Sequence, residues 1–239
     1  MQRARPRSIE RELFMLELPD GTVHLPRPST AQRRVAKGRR EHFTGQLNVG
    51  PDEGTCMDIE SYTELQVALT LLARPEVVHV ENQVPFTYLG TDGEPARHFF
   101  DFLTTQSDGS RIAVMVKSAY RFSKPSVAEE LRFIGSQVTP DFADRAVVMT
   151  EKHFGPHEFH NAEIMHEMRC PDPVVDASAL RVVRQVVGAV RIADLVDEIG
   201  QGGSGFRAVV RLIRNRHLLI PEGVKISYEA TVTREFRDA

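Results

Sequence analysis

The sequence predicts an α/β protein with a central mixed sheet, followed by a compact helical segment. Three observations carry this expectation. Leu65, Ala68, Leu69 and Leu72 recur at three- and four-residue spacing, which gives a helix over Tyr62 to Ala73 one apolar face. The runs Phe99 to Thr104 and Ile112 to Val116 flank the turn Ser107-Asp108-Gly109, the pattern of adjacent strands. Arg145 to Met149 is apolar through Ala146-Val147-Val148-Met149, as in a strand covered on both faces.

The remaining elements follow in chain order. Residues 1–45 form a basic N-terminal arm, Pro- and Arg-rich, with one short apolar stretch from Leu13 to Leu18. Residues 1–43 carry ten Arg and Lys against five Asp and Glu. This arm is therefore +5 in a chain whose net charge is -3. A basic arm on an acidic body suits contact with a polyanion, and Arg33, Arg34, Lys37, Arg39 and Arg40 are its candidate DNA contacts. A solvated tail has the same composition. No apolar h-region follows the arginines, so no secretory signal is expected, and no apolar run approaches the ~20 residues of a membrane span. Cys56 and Cys170 are the only cysteines, too few for a disulfide framework, which fits a reducing cytoplasm.

In residues 46–155, Pro75 ends the first helix. Val77 to Val80 and Phe86 to Tyr88 are expected as two strands, the second closed by Thr91-Asp92-Gly93. Val127 to Ser136 is a second helix ahead of the buried strand. Residues 156–173, rich in His and Pro, are expected as a linker. His153, His157, His160, His166 and Cys170 have no compact metal-ligand spacing. In residues 174–239, Asp176 and Ser178 suit the start of a helix through Leu180, Val183 and Val187. Further helices are expected over Ile192 to Ile199 and Phe206 to Arg214, then strands over His217 to Ile220 and Val224 to Thr233. Three short helices and a hairpin resemble a winged helix-turn-helix, whose third helix would offer Arg207, Arg211 and Arg214 to DNA. A winged helix that docks a protein has the same pattern.

The chemistry concentrates in three residues. Asp101 interrupts the aromatic run Phe99-Phe100-Asp101-Phe102-Leu103, where a carboxylate is costly without a cation nearby. Lys117 ends the next apolar strand, and Glu64 borders the apolar face of the first helix. Two carboxylates able to hold magnesium, with a lysine beside them, meet the minimum need of phosphodiester hydrolysis. Structural ion pairs share this pattern.

From Arg39-Arg40-Glu41-His42-Phe43-Thr44-Gly45 through Glu60-Ser61-Tyr62-Thr63-Glu64-Leu65 and Glu81-Asn82-Gln83-Val84-Pro85-Phe86, the chain resembles the TnsA family. These are transposon end-cleaving endonucleases with a restriction-endonuclease-like core. Phe100-Asp101-Phe102-Leu103 and Met115-Val116-Lys117 match the family's catalytic strands, and the similarity spans about residues 39 to 155. The resemblance implies an α/β restriction-endonuclease-like core with a central mixed sheet over 46–155, and a C-terminal winged helix over 174–239. It implies a magnesium-dependent DNA endonuclease, with manganese able to substitute. Glu64, Asp101 and the Val116 carbonyl would bind metal, and Lys117 would assist the attacking water. Its implied partners are double-stranded DNA, a DDE-type transposase subunit and an AAA+ ATPase regulator, with no membrane. Two departures stand out. Phe100 replaces a proline, and Met115 replaces the Glu or Gln two residues before the lysine, where a thioether is a poor magnesium ligand. The site would then bind one metal weakly, recruit Glu60 or Glu81, or be inactive. The alternatives are a catalytically degenerate nuclease fold that binds DNA or protein, and a stand-alone phage or defence nuclease.

Overall fold

The computed structural model describes residues 16–17, 23–33, 43–50 and 53–235. It has two short N-terminal strands, β1 (Leu16–Glu17) and β2 (Val23–His24), and the hairpin β3 (Gly45–Val49) with β4 (Thr55–Ile59). After them come α1 (Tyr62–Ala73), β5 (Val77–Leu89), β6 (Pro95–Gln106), β7 (Arg111–Val116), α2 (Ala119–Phe122), α3 (Pro125–Gly135) and β8 (Arg145–Met149). The sheet β5-β6-β7-β8 is mixed: its first two pairs are antiparallel, and β7 pairs β8 in parallel across the α2–α3 crossover.

Side chains on β7 alternate between two cores. Val114 and Val116 pack with Met57 and Ile59 of β4 and Val67, Ala68 and Leu71 of α1. Ala113 and Met115 pack on the other face with Leu131 and Ile134 of α3. Being covered on both sides is why this strand is apolar at every position from Ile112 to Val116. Where two strands were expected between Val77 and Tyr88, there is one of 13 residues. It holds its register with β6 past Gln83, whose φ of 52° marks the irregularity that divides the sequence pattern. Pro85 is tolerated because β5 is an edge strand.

Residues 156–173 are not a linker. Pro156 opens α4 (Pro156–Glu167), where its missing N–H costs nothing. The helix packs against α1 and buries Ala162 and His166. Its Asn161 donates to the Val224 carbonyl and accepts from the Ile226 N–H, tying α4 to the C-terminal segment.

The C-terminal segment is α5 (Pro173–Arg184), β9 (Ala189–Arg191), α6 (Ile192–Ile199), α7 (Gly203–Arg214), β10 (Leu218–Leu219) and β11 (Thr231–Arg234). Its antiparallel sheet has the order β10-β11-β9. Asp172, not Asp176, caps α5 by accepting from the Val175 N–H. The helix stops short of Val187, which is 90% exposed. The expected strand from Val224 forms only over Thr231–Arg234. Upstream of it, the chain is held by Asn161 at Ile226 and by stacking of Tyr228 on Phe206, at 4.6 Å between centroids. Among the described residues no helix is long and apolar enough to cross a membrane.

Candidate active site

Ile59, buried at the end of β4, delivers the chain to Ser61, which caps α1. The Ser61 hydroxyl accepts from the Glu64 N–H at 3.1 Å and donates to Glu64 Oε1 at 3.1 Å. Glu64 Oε2 accepts from the Glu60 N–H at 2.9 Å. This is a variant of the capping box, in which the glutamate accepts from the N–H of the residue before the cap, and it accounts for a glutamate at this position on structural grounds alone. It does not account for the electrostatics. A capping glutamate beside a helix N-terminus gains from being charged. Here burial, and then the Asp101 carboxylate, push the Glu64 carboxyl up to about 7 despite two hydrogen bonds that favour the anion.

Asp101 comes from β6. The β6–β7 ladder ends at Phe102↔Val114, and beyond it the Val116 N–H donates to Asp101 Oδ2 at 2.6 Å. The side chain thus takes over a hydrogen bond that a neighbouring strand would otherwise supply. Burial raises the Asp101 carboxyl and outweighs the opposing Lys117 ammonium and Val116 N–H. Lys117 follows β7 directly. Its N–H donates to the Met149 carbonyl at 3.1 Å, and its Nζ donates to the Val116 carbonyl at 2.9 Å.

Glu64, Asp101, Val116 and Lys117 line one cleft of about 500 Å³. Glu60 lines it too and pairs with Arg33, whereas Glu81 lies elsewhere. Met115 is 2% exposed within the α3-side core and offers the cleft nothing. Among the described residues no three His, Cys, Asp or Glu side chains group closely enough to hold a metal ion. With Glu60 engaged by Arg33, the donors left are the Glu64 and Asp101 carboxylates and a backbone carbonyl. That set suits magnesium, a hard cation that binds one or two carboxylates and keeps several of its waters. Burial raises both carboxyls, and the Asp101 charge raises Glu64 further, an arrangement a divalent cation would relieve.

Of the cationic rim, sequence patterns point only to Arg33, one of the arm's candidate DNA contacts. Arg33, Arg97 and Arg121 line the cleft with Lys117, and the Arg33 and Arg97 guanidiniums lie 5.6 and 5.1 Å from the centroid of the Phe99 ring. His98 is held down to about 4 by burial and by the Lys117 and Arg33 charges. Arg97 and Arg121 have no spacing signal, because only the sheet's topology brings them to the same edge.

The other arginines divide sharply. Arg34, Lys37, Arg39 and Arg40 lie outside the described residues. Arg207 is exposed and donates to Ser204. Arg211 is a correction: it is 7% exposed, pairs with Asp176 at 2.6 Å and donates to the Met168 carbonyl. Arg214 is half-buried and donates to the Met165 carbonyl. α7 is buried along most of its length, so these two arginines turn inward to the end of α4 and cannot form a groove-reading face with Arg207. The chain matches no protein-family model and no curated protein.

Proposed function

We propose that the protein is a metal-dependent DNA endonuclease of the kind its sequence resembles, the TnsA family, cutting DNA at transposon ends within a heteromeric transposase. The observation that carries this reading is the shared cleft. A buried aspartate and a buried glutamate repel each other there, beside a lysine and inside an arginine rim. Acid at the centre suits a divalent cation, and base at the edge suits a phosphate backbone.

Glu64, Asp101 and the Val116 carbonyl would hold magnesium, which when bound supplies Lewis acidity toward a phosphoryl oxygen and its water. The Lys117 ammonium places positive charge where negative charge develops on the phosphate and orients the attacking water. Arg33, Arg97 and Arg121 bind the flanking phosphates. Ser61 and the Glu60 N–H fix the Glu64 carboxylate, and the Val116 N–H fixes Asp101, so neither acid has to reorganise. The restriction-endonuclease-like core is the form this sheet with α1 and α3 would take. The helix-strand-helix-helix-strand-strand order from residue 173 on, with β11 between β9 and β10, supports the winged-helix reading of this segment. With Arg211 and Arg214 turned inward, that unit serves better to dock a protein partner, such as an AAA+ regulator or a DDE-type transposase, than to read DNA through α7.

The test is nicking of transposon-end DNA in magnesium or manganese, with the partner transposase present. Asp101→Ala and Lys117→Ala each cut nicking by about a hundredfold or more while DNA binding persists. Identical product from the wild type and both variants would overturn the assignment. One observation favours a second reading, a nuclease fold that binds DNA without cutting it: Met115 is sealed in the core and leaves two acidic side chains at the centre. DNA binding with no cleavage under any metal would select that reading.

A further inference from the structure

A second and larger cleft, of about 710 Å³, lies at the far end of α1. It is bounded by the β3–β4 hairpin, the first half of β5, Arg27, and Arg169 and Arg214 from either side of the α4 C-terminus. Three arginines converge on that helix end. Arg214 donates to the Met165 carbonyl at 3.2 Å, Arg169 to the His166 carbonyl at 2.8 Å, and Arg211 to the Met168 carbonyl at 3.2 Å. The exposed carbonyls of a helix C-terminus supply roughly half a negative charge. Asp176 supplies one more, and Arg211 takes it.

Arg169 and Arg214 have no carboxylate partner among the described residues, although each has guanidinium N–H groups left over. Glu81 is the one acidic residue among those that line the cleft. The surplus charge is felt locally. Burial and then Arg169 lower Arg214, and burial with both guanidiniums holds the buried His166 down to about 3. Arg27 is pinned through its backbone, by its N–H to Gly54 and its carbonyl to Cys56, and its side chain makes an exposed 3.4 Å pair with Glu53.

We infer that this cleft is an anion site for a phosphate-bearing ligand, held by Arg169 and Arg214 with Arg27 as the third contact. Guanidinium donors suit phosphate because their fork matches two of its oxygens. The volume exceeds what one free phosphate fills, so the phosphate belongs to a larger body: a nucleic-acid strand or a free nucleotide. The site is separate from the Glu64–Asp101 cleft and does not depend on cleavage there.

The test uses the full chain in chelator, where nothing is cut, with ATP in calorimetry and a short fluorescent DNA duplex in anisotropy. At least one probe binds, and Arg169→Met weakens it about tenfold and, for DNA, lowers the salt slope by about one. Arg169→Lys, which keeps the charge but not the fork, recovers only part of the affinity that Arg169→Met loses. Arg27→Gln, which touches no α4 carbonyl and so leaves the helix end intact, weakens binding several-fold. Response to ATP alone identifies a free nucleotide, and response to DNA identifies a strand; either supports the site. Failure of both probes to bind, or wild-type binding by both Arg169→Met and Arg27→Gln, would overturn it. Nicking is not read, so an inactive Glu64–Asp101 cleft does not alter the result.

Discussion

If Glu64 is held against its electrostatic preference, removing its charge should stabilise the metal-free protein. The perturbation is Glu64→Gln, which keeps the side chain's size and an amide oxygen to accept from the Glu60 N–H. The carboxyl rises from 4.5 to about 7 on folding. A raised carboxyl contributes stability that is fully present below the unfolded value and is lost as pH climbs through the folded one. At pH 8.5 the wild type therefore bears a penalty of about 3 kcal/mol, and at pH 5 about 1 kcal/mol or less. Glu64→Gln escapes this dependence. For a chain of this size its Tm should exceed that of the wild type by about 6–12 °C at pH 8.5, with the gap mostly closed at pH 5. The assay is paired thermal unfolding in chelator at the two pH values. Adding magnesium should reverse the order, because it stabilises only the protein that binds it, by RT ln(1 + [L]/Kd). A gap that does not change with pH would refute the idea that Glu64 is strained by burial and by Asp101, and the capping box would then suffice to explain it.

Two further outcomes separate inward-facing residues from functional ones. Arg211→Met leaves Asp176 without its partner and the Met168 carbonyl without a donor, so chemical denaturation should show a loss of about 3 kcal/mol. DNA affinity of the fraction that remains folded should be unchanged; a specific loss of DNA binding with normal stability would return Arg211 to the DNA interface. Met115→Gln restores the residue type the TnsA resemblance implies, but places an amide in the α3-side core. It should cost about 1–3 kcal/mol and leave nicking no faster; faster nicking would mean that position 115 can reach the cleft.

A helical period and an unbroken apolar run made the bounds of two elements legible to the residue: α1 at Tyr62–Ala73 and β8 at Arg145–Met149. β8 is nevertheless a mostly half-buried edge strand and not one covered on both faces. Weak periodicity hid others. The β3–β4 hairpin is only half-buried and mixes polar with apolar positions. α4 buries an alanine and a histidine in place of a leucine stripe, so its histidines and prolines resemble a linker. The arginines of α7 misled for a different reason. Their helical spacing is real, but spacing says nothing about whether a basic face meets solvent or another helix's carbonyls.

The site itself depends on a feature that no residue pattern shows. Residues two apart on a strand normally share a face, yet Phe100 packs in the α3-side core and Phe102 in the α1-side core. The strand must turn over at the residue between them, Asp101. Its counterpart on β5 is Gln83, bracketed by the pairs Asn82↔Phe102 and Val84↔Phe100 and buried at 1% exposure with φ of 52°. That backbone region is unfavourable for a residue other than glycine and persists where the surroundings impose it. The same turn-over ends the β6–β7 ladder at Val114, frees the Val116 N–H, and brings the Asp101 carboxylate onto it. An aspartate among four apolar neighbours is thus no error of patterning. The irregular ribbon carries its charge out of both cores to the cleft where Glu64 and Lys117 lie.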